Sequence, residues 1–107
     1  MAVITLKDSN FEQEVLASET PVLVDFWAPW CTPCRMLSPT VDTIAQEQAG
    51  RIKVGKVNID EQPELAQKFD VSVIPTLYLF QQGQPGEKLV APPSQAQIED
   101  WIHAQVS

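Results

Sequence analysis

Val24-Asp25-Phe26-Trp27-Ala28-Pro29-Trp30-Cys31-Thr32-Pro33-Cys34-Arg35 carries both cysteines of the 107-residue chain, with only Thr32 and Pro33 between them. Its first half belongs to a near-continuous apolar run at 22–28, which reads as a strand covered on both faces. Its second half opens a helix from Cys34 to about Gln48, where Leu37, Val41, Ile44 and Ala45 fall on one stripe. Pro39 sits inside that pattern and should kink the helix, and Gly50 ends it. Cys31 therefore lies just beyond a buried strand, and Cys34 lies in the first turn of the helix. Side chains three apart at a helix start share one side, so the sulfurs can reach disulfide geometry. Unpaired N–H groups and partial positive charge at that terminus favour a thiolate. Cys31, the outer of the two, should gain most and be the more exposed, with Cys34 shielded by the helix. That assigns Cys31 to attack a substrate disulfide and Cys34 to resolve the mixed disulfide.

Two other uses of the pair are weaker. A disulfide closing so short a loop constrains the unfolded chain very little, so it makes a poor staple. Zinc needs four ligands, and His103 is the one histidine beside the two thiols, so a metal would have to be shared across a dimer. Two charges interrupt apolar patterns: Asp25 in the 22–28 strand, and Lys56 on the face of Ile52 and Val54. If those strands are neighbours, Asp25 and Lys56 can pair in the core behind the cysteines. A buried carboxyl titrates near neutrality, which suits Asp25 as general acid/base for Cys34, with Lys56 tuning it; a purely structural ion pair is the alternative.

Outward from the motif, short units follow one another. Residues 3–6 read as a strand, and Ser9-Asn10-Phe11-Glu12 as a capping box opening a helix with Phe11, Val15 and Leu16 on one face. Residues 52–59 form the next strand, 61–69 a short helix with Leu65, Ala66 and Phe69 inward, and 76–81 a strand. Residues 83–86 read as a turn and 87–91 as a short edge strand. Ser94-Gln95-Ala96-Gln97 caps a last helix that buries Ile98, Trp101 and Ile102. The order β-α-β-α-β-α-β-β-α predicts a three-layer α/β/α sandwich in one domain, 1–107. Its mixed sheet of about five strands should be mainly parallel, with an antiparallel pair from the late β-β step. Trp27 and Trp101 read as core, Tyr78 as packing, and His103 as solvated and without a catalytic role.

A net charge of −7 argues against a nucleic-acid surface, which needs clustered Lys and Arg. The start has at most a four-residue apolar stretch before Lys7 and Asp8, too short for a signal peptide, and no run is long enough to span a bilayer. The expectation is a cytoplasmic monomer without metal or cofactor, or a stromal one if a transit peptide was removed.

Read together, W-A-P-W-C-T-P-C-R-M, the interior Pro39, V-N-I-D at 57–60 and V-I-P-T-L at 73–77 resemble the thioredoxin family nearly end to end. The resemblance implies the thioredoxin fold and reduction of disulfides in client proteins. Electrons would come from a thioredoxin reductase, NADPH- or ferredoxin-linked. It matches Cys31 and Cys34 to nucleophilic and resolving cysteines, Asp25 and Lys56 to a buried pair, and Trp30 to an exposed docking tryptophan. It matches Ile74-Pro75 to a cis-proline loop that binds an extended substrate, beside Thr32, Pro33 and Ala91. Two departures stand out. Thr32 replaces the usual glycine, and its hydroxyl could bond the Cys31 thiolate and make the couple more oxidising. Val90-Ala91-Pro92-Pro93 replaces a loop that commonly contains glycine, which makes the rim bulkier. Alternatives within this reading are a more oxidising disulfide exchanger and a thioredoxin-fold binding subunit without turnover. A glutaredoxin fits less well, because Trp30 and Pro33 flank the cysteines in the thioredoxin manner.

Overall fold

The computed structural model describes residues 3–92 and 94–106, so Pro93 of the altered loop lies outside the described residues. Five strands, β1 (Val3–Leu6), β2 (Val22–Trp27), β3 (Lys53–Asn58), β4 (Thr76–Gln81) and β5 (Gln84–Val90), form one sheet in the order β1-β3-β2-β4-β5. Three α-helices, α1 (Thr32–Glu47), α2 (Pro63–Lys68) and α3 (Gln95–Val106), join them, with a π-helical segment at Glu12–Leu16. The sheet alternates two environments along β2. Val22, Val24 and Phe26 face a core closed by the π-helical segment and α2, through Phe11, Val15 and Leu65. Leu23 faces the opposite core, built on Leu37, Val41 and Ile44 of α1 and on Ile98 and Ile102 of α3. Helical elements thus cover both faces, and the three layers read from the sequence are present.

The sheet is less parallel than expected. β3 runs parallel to β1 and β2, but β4 runs antiparallel to β2, and β5 antiparallel to β4. The reason lies in α2, whose six residues span only about 9 Å, too little to carry the chain back along the sheet. β4 therefore enters beside the C-terminal end of β2, pairing Thr76 with Phe26.

Other boundaries differ for local reasons. No side chain caps the π-helical segment, so the Ser9 capping box is not formed. Asn10 organises the entry instead, accepting the Lys7 N–H at 2.7 Å and donating to the Thr5 carbonyl at 3.0 Å. The turn expected at 83–86 is tighter: Gln82 and Gly83, at φ 53° and 79°, form a two-residue connection, and β5 already begins at Gln84. At the last helix the predicted cap holds, with Ser94 Oγ accepting the Gln97 N–H at 3.2 Å. Trp101 is half-buried rather than sealed, and His103 is exposed. α1 continues through Pro39, which has no N–H to give the Arg35 carbonyl, and keeps its apolar stripe buried.

Candidate active site

Beyond β2 the chain turns back, with Cys31 N donating to the Ala28 carbonyl at 3.2 Å. Cys31 is extended, at φ −90° and ψ 107°, and is the N-cap of α1. Pro33 lies in the first turn, where a missing N–H leaves no helical bond unmade. Cys31 Sγ accepts the Cys34 N–H at 3.2 Å, the place a serine or aspartate oxygen takes in an ordinary cap. The two cysteines form a disulfide, with their Cα atoms 5.3 Å apart. The predicted difference in access is slight, Cys31 being 5% exposed and Cys34 3%. Both sulfurs sit in a small apolar cluster with Ala28, packed on by Trp27, Ile59 and Ile74.

The other named residues gather around this pair. Cys31 Sγ lies 3.8 Å from the Ile74 carbonyl oxygen, and the Ile74–Pro75 peptide is cis. The Pro75 carbonyl accepts the Ala91 N–H at 2.8 Å, which ties the altered loop to the proline loop. Ala91 holds φ 47°, a left-handed conformation unfavourable for a residue with a Cβ. Trp30 is 65% exposed and donates Nε1–H to both carboxylate oxygens of Asp60, at 3.0 and 3.2 Å. Thr32 and Pro33 are exposed at the rim. The donor to Cys31 Sγ is the Cys34 amide, and the hydroxyl bond expected from Thr32 is not made in this disulfide form. Sequence reasoning missed Asp60 and the exposed Met36 and Val73. Asp60 was within view as the end of V-N-I-D, but its indole partner lies thirty residues away.

Behind the disulfide, Asp25, Trp27, Cys34, Arg35, Ser38 and Lys56 line a pocket of about 120 Å³. Trp27, expected in the core, is half-buried on this wall. Asp25 is 1% exposed, and its Oδ1 has no hydrogen-bond partner. Burial raises its pKa from 3.8 to about 7, against a lowering pull from Lys56 and with a further push from Asp42. Asp25 and Lys56 are register partners on β2 and β3, as the sequence suggested. Their expected direct ion pair is replaced. The Lys56 ammonium donates instead to Ser38 Oγ at 2.6 Å and to Asp42 Oδ1 at 3.1 Å. Ser38 and Asp42, one helical turn apart on α1, carried no signal in a one-dimensional reading.

A vicinal dithiol on a helix cap, with a proton-holding carboxyl behind it, exchanges electrons with other disulfides, so the class is dithiol–disulfide oxidoreductase. Comparison with known proteins gives the family. Residues 2–104 match the thioredoxin family. Thioredoxin 1 of Nostoc sp. is 55% identical over 89 residues, 83% of this chain and 83% of that one. The thioredoxin of Porphyra purpurea is 42% identical over 107 residues, 100% of both chains. An M-type chloroplastic thioredoxin of Pisum sativum is 41% identical over 104 residues, 97% of this chain and 60% of that one. The chain belongs to the thioredoxin family, with its fold and its disulfide oxidoreductase activity. Among the described residues, no helix is long and apolar enough to cross a membrane.

Proposed function

We propose that the chain, acting as a single domain, reduces disulfides in client proteins, with Cys31 as nucleophile and Cys34 as resolving thiol. In the first step the Cys31 thiolate attacks one client sulfur, forming a mixed disulfide while the client S–S bond breaks. The second client sulfur leaves as a thiolate and takes up a proton. In the second step Cys34 gives its proton to Asp25, and its thiolate attacks Cys31 Sγ. The Cys31–Cys34 bond forms, the mixed disulfide breaks, and the remaining client sulfur departs with the electron pair. Two electrons have then passed from the dithiol to the client.

The observation that carries this reading is the helix cap: Cys31 Sγ accepts the Cys34 N–H, a bond that strengthens when the sulfur is charged. Asp25 supports the second step, since it opens on the same pocket as Cys34 and titrates at about 7. That pocket has room for a few water molecules to relay the proton. Trp30, Pro33, the Ile74-Pro75 loop and the Ala91 rim form the client-facing surface, and Thr32 stands beside the reactive sulfur. A redox titration of wild type against Thr32→Gly reads what that hydroxyl adds. Re-reduction falls to an NADPH- or ferredoxin-linked thioredoxin reductase, and an assay with each in turn identifies the donor. The reading places the chain in a reducing compartment, cytoplasm or stroma.

The roles are tested by trapping. Cys34→Ser, mixed with a disulfide-bearing client, should accumulate the mixed disulfide at Cys31, whereas Cys31→Ser should accumulate none. Equal trapping by both variants would overturn the assignment. For Asp25, the alanine variant should resolve more slowly and lose the rise in rate centred near pH 7, where the carboxyl becomes able to accept the Cys34 proton, and an unchanged pH profile would remove its role.

A further inference from the structure

The contact that replaces the expected Asp25–Lys56 ion pair has its own consequence for the second step. Lys56 projects from β3 onto the face that holds Asp25, directly opposite it in register. An ammonium on the residue paired with a buried carboxylate would ordinarily turn to it. Here Ser38 Oγ accepts it at 2.6 Å and Asp42 Oδ1 at 3.1 Å, both from α1 and spaced to clasp one group. Asp25 Oδ1 is left buried and without a partner. We propose that Ser38 is a positioning residue: with Asp42 it holds the Lys56 ammonium at the pocket mouth, and so keeps Asp25 able to take and release the Cys34 proton.

The groups around Asp25 make the clasp consequential. From β3 the charged neighbour is Lys56; from α1 they are Cys34, Arg35 and Asp42; from β4 the register partner is the uncharged Leu77. Lys56 is the group among these that pulls the Asp25 pKa down, while desolvation holds it up. The distance of one ammonium therefore sets the balance, and a nearer ammonium would leave Asp25 a weak base at neutral pH. A serine hydroxyl suits the task, since it anchors the ammonium without adding a charge that would itself act on the carboxyl.

The inference rests on reading Asp25 as the proton acceptor, but its test looks at the carboxyl directly. Titration of the Asp25 side-chain ¹³C shift in the oxidised protein, where Cys34 does not ionise, gives the midpoint. Ser38→Ala should lower that midpoint by about one pH unit, as the ammonium, left with only the exposed Asp42 to hold it, turns inward. Ser38→Thr, which keeps a hydroxyl, should restore it. In a Lys56→Met background Ser38→Ala should have no effect, because the group it positions is gone. An unchanged midpoint in Ser38→Ala, or an equal fall without Lys56, would overturn the proposal. Loss of the Asp25 role would instead show in the resolution kinetics of Asp25→Ala, with the midpoints still as stated.

Discussion

On one face of β2, Val22, Val24 and Phe26 are sealed into a core with five interlocked aromatic rings. On the other, Leu23 is sealed, but Asp25 and Trp27 line a pocket behind Cys34. The rings of the first face meet at defined angles, Phe69 lying 5.4 Å from Phe11, 5.2 Å from Phe80 and 6.1 Å from Tyr78. Its buried hydroxyl is satisfied, with Tyr78 Oη donating to the Phe69 carbonyl at 2.6 Å. The second face leaves Asp25 Oδ1 without a partner. One strand thus supports stability on one side and, on the other, gives up stability to bury an unpartnered carboxyl beside the disulfide, where the proposed second step would use its proton.

The largest effect should come from breaking the sealed face. Phe26→Ala should destabilise by about 3–5 kcal/mol, read as a lower urea midpoint at constant m, and leave the pH profile of resolution unmoved. A shifted profile would mean that the two faces are not independent. Asp25→Asn should do the opposite on the other face. The folded chain keeps a proton that the unfolded chain has lost between pH 3.8 and about 7, so wild-type stability falls as pH rises through that window. Once the window is passed, burial of the carboxylate costs about 4 kcal/mol. The stabilising effect of Asp25→Asn should therefore grow between about pH 4 and about pH 8 in urea titrations of the oxidised protein. A gain equal at both would contradict the assigned ionisation.

Smaller changes sharpen the contrast. Tyr78→Phe removes the donor to the Phe69 carbonyl and should cost about 1 kcal/mol, with the redox potential unchanged. Ala91→Gly relieves a left-handed backbone worth about 1–2 kcal/mol, set against about 0.5–1 kcal/mol of added chain entropy. A net stabilisation of about 0.5 kcal/mol should appear as a small rise in Tm, and a fall would show that the alanine is not strained.

The reactive pair was legible because its chemistry is local. A strand, two spaced cysteines and a helix start lie within one short stretch, and β1 and β4 were readable to the residue from their apolar runs. The hairpin was misread because Gly83, Pro85 and Gly86 all look like turn residues. Only pairing with Phe80 across a bulge shows that Pro85 belongs to a strand. The direction of β4 depended on how far a six-residue helix can carry the chain, which no residue type announces. At the site, Asp25 and Lys56 were found as misfits in apolar patterns, and their register followed. The competition from Ser38 and Asp42 did not, since it depends on which side of α1 faces β3.

The strand that was misread has a consequence for how molecules of this chain meet one another. β5 closes one side of the sheet, and an open side invites a second chain to zip on. Pro85 contributes no amide to such a zipper, and the exposed, charged Glu87 and Lys88 keep that edge solvated. The residues that looked like a turn thus work as a guard against growth into larger sheets, and that is a matter of colloidal survival at high concentration rather than of catalysis.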